Sequence, residues 1–330
     1  MSYKFLYINS KPGADSIHQF GLLAYNAICN DEGYTVDYAN VNELDNHALH
    51  EGKIIHNGVE LAAYDAYIFN YHWYTVRQHG NVRSEEFHKL PGLKFALIME
   101  VFPNNPVVGP LDISVAHNDF HGYMIMDPTL VYPNPIFHAF PRPLGKANIQ
   151  SYEEKEIPVI GTFGLAGTGR NLTNLVRAVN AEFDRAIIRF NFAPGSYFGD
   201  VNGVAKREVL GECASVAKPG IEIQLTEHFF SDQELLEWLG QNTLNVFLYA
   251  RGTSGISSAA DQALISGRPI LTSDDIAFRH IHQYIPPYPQ TSLQDAIKIG
   301  TEKVSEMQNA WNYDSFKQKF KEMILPLLSA

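Results

Sequence analysis

Residues 244–272 read LNVFLYARGTSGISSAADQALISGRPILT, and this stretch decides the fold. It opens with an apolar run from Leu244 to Tyr249, short enough to be a buried strand. A polar turn follows, Arg251-Gly252-Thr253-Ser254-Gly255, and then Ile256, Ser257 and Ser258. From Ser258 the spacing predicts a helix that closes at Gly267, and 269–272 predicts the next strand. Strand, glycine turn, helix and strand in this order build a parallel sheet. Such sheets bind ligands at the C-terminal ends of their strands. The amides of Ser254, Gly255, Ile256, Ser257 and Ser258 stand at that end with no helical partner, and the helix dipole adds to their pull on an anion. Asp261 falls within about a turn of the helix start, where a carboxylate accepts hydrogen bonds from ligand hydroxyls. The same spacing fits a plainer reading, with Ser257 or Ser258 capping the helix and Asp261 complementing its dipole.

Working outward, the same grammar recurs at 158–183. An apolar strand leads into IGTFGLAGTGR, residues 160–170, and a helix over 171–183 carries Leu172, Leu175, Val176, Val179 and Phe183 on one face. Its glycines form neither G-x-G-x-x-G nor a P-loop, since no Gly-Lys-Ser/Thr is present. Arg170 ends the loop where a guanidinium can fork onto phosphate oxygens, or stand as an ordinary surface charge. Further strands are predicted at 186–190, 222–225 and 244–249, and Ser231-Asp232-Gln233-Glu234 is a capping box.

The first half alternates in the same way. Strands are predicted at 4–9, 35–40, 66–70, 94–100 and 123–126, with a helix after Asp15 bearing Ile17, Phe20, Leu23, Ala24, Ala27 and Ile28. Between 128 and 158, Pro128, Pro133, Pro135, Pro141, Pro143 and Pro158 argue against regular structure. The fold class expected is therefore α/β, two Rossmann-like domains with parallel sheets facing across a cleft. Residues 1–150 form the first, with a linker at about 138–158, and 151–330 the second. A helix over 314–328, with Phe316, Phe320, Met323 and Leu327 on one stripe, caps its own sheet or crosses back to the first domain.

Composition narrows the function. In 330 residues, 45% are apolar and the net charge is −11, which excludes a disordered chain and leaves no basic run to neutralise nucleic-acid phosphates. Cys29 and Cys213 are far apart, so neither a disulfide framework nor a zinc cage is expected. No stretch reaches the ~18 apolar residues of a membrane span, and the start lacks a signal-peptide pattern. A cytoplasmic protein is expected, with peripheral membrane contact left open. His117-Asn118-Asp119-Phe120-His121 holds an i, i+4 histidine pair. No H-E-x-x-H accompanies it, and Asn118, Asp119 and Gly122 suggest a turn, so no metal is assigned. Glu100 ends an apolar strand, as a proton-transfer group or as a structural carboxylate.

Together, Val246 to Tyr249, Gly255-Ile256-Ser257-Ser258, Gly267-Arg268-Pro269-Ile270 and Arg170-Asn171-Leu172 resemble the second domain of GT-B glycosyltransferases. The group in question is the retaining one that includes sucrose synthase-like and bacterial polysaccharide transferases. The resemblance covers about 159–282, and the N-terminal half only by architecture. It implies a nucleoside-diphosphate-sugar donor, a saccharide or lipid-linked acceptor, retention, and no metal or other cofactor. By the same resemblance Gly13 in the loop 11–16, Arg170 and residues 254–258 hold the diphosphate, and His228 and Phe229 with Asp261 hold base and ribose. Glu100 and Asp261 become the catalytic candidates, and His117, Asp119 and His121 an acceptor-side loop. Two departures stand out. The family's paired glutamates are missing, with Gln262 at the second position beside Asp261 and the first near Ser254, and Phe163 stands near the family's first phosphate-loop arginine. A nucleotide-sugar epimerase and a non-catalytic two-domain binding protein share the same shape.

Overall fold

The structure is a computed structural model and describes residues 2–12, 16–71, 89–99, 107–108, 111–112, 120–131, 134–146, 155–164, 168–192, 203–250, 252 and 255–329. The chain divides into two compact units. The first comprises Met1–Gly145, Ser254–Ile256 and Trp311–Ala330, and the second Lys146–Thr253 and Ser257–Ala310.

The first unit is built on β1 (Tyr3–Asn9), β2 (Tyr34–Asn40), β3 (Ala66–Asn70), β4 (Leu93–Ile98), β5 (Gly122–Ile125) and β6 (Phe137–Ala139). All pair in parallel, in the order β6-β5-β4-β3-β1-β2. Successive side chains of a strand point to opposite faces, and here both faces are covered. Leu6, Ile8, Tyr67, Phe69, Ala96, Ile98, Tyr123 and Ile125 enter one core cluster. Phe5, Tyr7, Ala66, Ile68, Phe95, Leu97 and Met124 enter the other. That two-sided burial is why the strands read as continuous apolar runs rather than as alternating ones. Helix α1 (Ser16–Ile28) covers the second face with Ile17, Phe20, Ala24, Ala27 and Ile28.

Among its described residues the proline-rich stretch holds a regular element that its composition argues against. Phe137–Ala139 forms the edge strand β6, which is short and has Pro135 and Pro141 just outside it. An edge strand tolerates flanking prolines because one of its sides needs no ladder bonds.

The second unit contains β7 (Val159–Phe163), β8 (Ala186–Asn191), β9 (Ile221–Thr226), β10 (Leu244–Phe247) and β11 (Ile270–Thr272), all parallel, in the order β9-β8-β7-β10-β11. The longer helices described in this unit are α2 (Leu172–Glu182), α3 (Val204–Val216), α4 (Asp232–Gly240), α5 (Ser258–Ile265), α6 (Leu293–Ile299) and α7 (Glu302–Ala310). Helix α2 buries Leu172, Leu175, Val176 and Val179 along one stripe. The capping box that opens α4 is closed in both directions, Ser231 on Glu234 and Glu234 back on Ser231. Strand order reverses between β1 and β3 in the first sheet and between β7 and β10 in the second. Those are the topological switch points where doubly wound sheets take their ligands.

The last helix, α8 (Tyr313–Leu328), belongs to the first unit. Its Phe316, Phe320, Met323 and Ile324 share the core face of α1 and β1. Lys321 Nζ meets Asp31 Oδ2 at 2.9 Å, and Lys317 Nζ donates to Asn30 O at 2.8 Å. Among the described residues no helix is long and apolar enough to cross a membrane.

Candidate functional site

At the switch point of the second sheet, β7 ends at Phe163 and the chain turns at Gly164, whose φ is +126°. A side chain there would collide with Arg170, since an added Cβ would lie 2.3 Å from its guanidinium. The glycine thus lets Arg170 fold back over the strand end. The residue is 8% exposed, and its Nη1 donates to Phe163 O at 3.1 Å and to the Tyr249 hydroxyl. The guanidinium carbon lies 4.5 Å from the Tyr249 ring centroid, a cation–π contact. Arg170 is therefore not a loose surface charge but a cation fixed where β7 and β10 end. Ala250 N donates to Gly169 O at 3.0 Å, joining the loops that follow these two strands.

After β10 the chain is pinned to the loop after β11. Ser273 Oγ donates to Tyr249 O at 2.6 Å, Gly252 N donates to Asp275 Oδ2 at 3.0 Å, and Ser257 N donates to Ala277 O at 3.1 Å. Ser257 occupies the N-cap position of α5 in extended backbone, yet its side chain makes no capping bond. Its hydroxyl is thus not engaged as the plainer reading of the sequence has it. Ser258 begins the helix, Ile256 is buried just before it, Gly255 lies in the bend before that, and Asp261 is 1% exposed in its first turn. Beside these loops lies a cavity of about 330 Å³, lined by Asn171, Arg177, Tyr249, Ser273, Asp274 and Tyr288 among others.

His228 and Phe229 follow β9, two strands from β7. Both are exposed, and the His228 ring packs edge-on to Phe230 with centroids 5.1 Å apart. Reading order alone does not reveal Tyr249 and Asp275, which hold Arg170 and Gly252.

In the first unit Gly13, Glu100, His117 and Asp119 lie outside the described residues, as does Ser254. His121 is described, and it requires a correction. It immediately precedes β5, and its Nδ1 accepts from Lys94 N, near the start of β4, at 3.1 Å. That is the N-terminal edge of the parallel sheet, opposite the strand ends that take ligands, so His121 is removed from the acceptor site. Its pKa is lowered by partial burial and by the nearby Lys94 ammonium. Lys94 itself is lowered by burial, with Nζ donating to Leu90 O at 2.7 Å and Gly92 O at 2.9 Å.

The C-terminal edge of the first sheet holds residues that motif reading passes over. Asn9 and Asn70 end β1 and β3, and Asn70 Nδ2 donates to Asn9 Oδ1 at 2.7 Å. Asn40 and Asn191 end β2 and β8 in the same way, so an apolar run closing in Asn is the sequence signal. Helix α1 passes so close to this pair that a Cβ on Gly21 would sit 2.0 Å from Asn9 Oδ1 and 2.3 Å from Asn70 Nδ2. Gly21→Ala should accordingly destabilise the chain by about 1–3 kcal/mol, the usual penalty for overpacking. Urea unfolding checks this, and an unchanged midpoint would mean that the asparagines have room to retreat.

No family profile matches the sequence, and no curated protein does. Solved structures do match. Trehalose-6-phosphate synthase OtsA superposes with a TM-score of 0.62 at 9% identity over 99% of both chains. HepE of Anabaena, solved in complex with UDP, gives 0.62 at 9% identity over 98% of this chain and 100% of its own. A trehalose-6-phosphate synthase described in terms of glycosyl transfer with retention gives 0.56 at 10% identity over 98% of both chains. The fold is GT-B. In GT-B terms the two units are the two Rossmann-like domains, and Arg170 with the start of α5 lies at the switch point of the second.

Proposed function

We propose that this chain is a glycosyltransferase that moves a sugar from a nucleoside diphosphate to a hydroxyl of a saccharide or lipid-linked glycan, with retention and without a metal or other cofactor. The observation that carries the reading is Arg170, a cation held at the switch point of a GT-B second domain beside the start of α5. HepE, which shares the fold, is solved with UDP, and also with UDP and glucose. The trehalose-phosphate synthase neighbour supports retention.

In the reaction the bond from the anomeric carbon to the diphosphate breaks, a bond to the acceptor oxygen forms, and the acceptor proton departs. Charge builds on the leaving diphosphate. Arg170 and the amides of 254–258, at the positive end of the α5 dipole, offset it. Gly13 is assigned to diphosphate binding as well, and His228 and Phe229 receive the base. Asp261 holds ribose or sugar hydroxyls, and Glu100 takes the acceptor proton. His117 and Asp119 remain on the acceptor side.

A thermal-shift panel of UDP, GDP, dTDP, ADP and CMP tests this. UDP at about 100 times its dissociation constant should add about 2.7 kcal/mol of stability. A flat response to all five would sink the reading. A UDP-sugar incubated without acceptor then separates transfer from epimerisation, because a transferase releases UDP slowly by hydrolysis and an epimerase returns an epimerised sugar.

A further inference from the structure

Two polar atoms at the C-terminal edge of the first sheet have no hydrogen-bond partner, the Ser10 hydroxyl just after β1 and the amide oxygen of Asn70 at the end of β3. Ser10 is fully buried and Asn70 is 1% exposed. Native proteins leave few buried polar groups unpaired, because each gives up its hydration for nothing in return.

The rest of the network around these two atoms is complete. The Asn70 amide nitrogen donates to Asn9 Oδ1 at 2.7 Å and to Ile17 O at 2.9 Å. Flipping the amide would turn its oxygen toward both acceptors, so the orientation is fixed and the oxygen is fixed with it. Asn9 Oδ1 also accepts from Ser10 N at 2.9 Å, and Asn9 Nδ2 donates to His18 O at 3.1 Å and to the Tyr38 hydroxyl at 2.9 Å. The Ser10 carbonyl is itself bonded to His18 Nδ1 at 2.9 Å. Both residues with unpaired atoms therefore hang on one oxygen of Asn9, and β1 and β3 flank the point where strand order reverses.

We propose that Ser10 Oγ and Asn70 Oδ1 are the hydrogen-bonding seat for hydroxyls of a hexose acceptor. This rests on the glycosyltransferase reading and names the acceptor groups within it. A fixed amide oxygen accepts an O–H and repels a phosphate or carboxylate, while the rotatable serine hydroxyl donates to a second oxygen. One acceptor and one donor on residues joined through Asn9 Oδ1 match hydroxyls on a neutral sugar, and an apolar ligand would leave both atoms unpaired. Both atoms are shielded from solvent, so binding includes a shift of Lys11 and Pro12, which are exposed just after Ser10.

The test is Ser10→Ala in the full chain. Because this hydroxyl bonds nothing within the fold, its loss should leave the thermal midpoint unchanged or raise it. Sugar binding is read by saturation-transfer NMR against glucose, galactose, mannose and glucose 6-phosphate. Whichever binds the wild type should bind the variant about tenfold more weakly, the effect of one lost hydrogen bond. The proposal is overturned if none of the four binds the wild type, or if the variant binds equally well. A lowered midpoint would also overturn it, since the hydroxyl would then serve the fold through a bridging water. UDP binding measured on the same samples keeps the two readings apart. UDP binding with no sugar effect ends this proposal alone, and a sugar effect without UDP binding ends the glycosyltransferase reading and with it the acceptor role, leaving a sugar seat of another purpose.

Discussion

Phe320→Ala will lower the stability of the first unit by about 3–5 kcal/mol, as expected for a buried aromatic truncated to a methyl group. Phe320 is fully buried in α8 and meets the ring of Phe5 at 6.1 Å and that of Tyr34 at 5.8 Å, both edge-on. Deleting the ring removes transfer energy and leaves a void that β1 and β2 are too constrained to close. The ion pair of Lys321 with Asp31, on the same helix, is partly solvated and should contribute less than about 1 kcal/mol. Aromatic burial is therefore what seats α8. Urea unfolding of Phe320→Ala beside Lys321→Ala separates the two terms. Equal losses from both variants would contradict this ranking.

That helix matters to the architecture because the chain leaves the first unit after Gly145 and, apart from Ser254–Ile256, returns to it only at Trp311. Leu144 N donates to Trp311 O at 3.0 Å, and the rings of Phe140 and Phe316 lie 5.2 Å apart. Exit and return are thus stitched together within one core. Loosening α8 also loosens Phe140 and Leu144, which these contacts hold in that core.

What could be read from sequence followed from how local each signal is. The run at 244–249, the helix closing before Gly267 and the Ser231 capping box each depend on a few neighbouring residues, and each forms. The strand β6 was hidden because only three residues pair, inside a stretch whose prolines argue for a loop. Helix α3 went unread because Lys206, Arg207, Glu208 and Glu212 crowd its short apolar stripe. The site shows the same division. Arg170 and the α5 start stand out as loop chemistry, whereas the tyrosine that fixes Arg170 is 79 residues away. Asn9 and Asn70 meet across 61 residues. His121, taken from the pair at 117 and 121, is misplaced for a related reason. The pair's spacing is local, but the edge of the sheet on which His121 falls is set by where β5 begins, and no spacing encodes that.

Arg170→Ala should weaken UDP binding about ten- to hundredfold, the worth of one charge-assisted phosphate contact at about 1.5–3 kcal/mol. The same substitution leaves Phe163 O and the Tyr249 hydroxyl without this donor, so stability should fall as well, by about 1–3 kcal/mol. The two losses need separating, because an arginine that only braced the loop would also impair binding indirectly. Arg170→Lys does so. Lysine keeps a positive charge near the strand end but cannot fork, and its ammonium covers the Tyr249 ring less well than a planar guanidinium. If the charge acts on the diphosphate, Arg170→Lys recovers much of the affinity for UDP while most of the stability stays lost. Calorimetry with UDP, beside inorganic pyrophosphate as a base-less probe, reads the affinity. Urea unfolding reads the brace. Should both variants bind UDP as the wild type does, Arg170 is a structural cation holding β7 to β10, and the diphosphate is bound by the amides at the start of α5 without it.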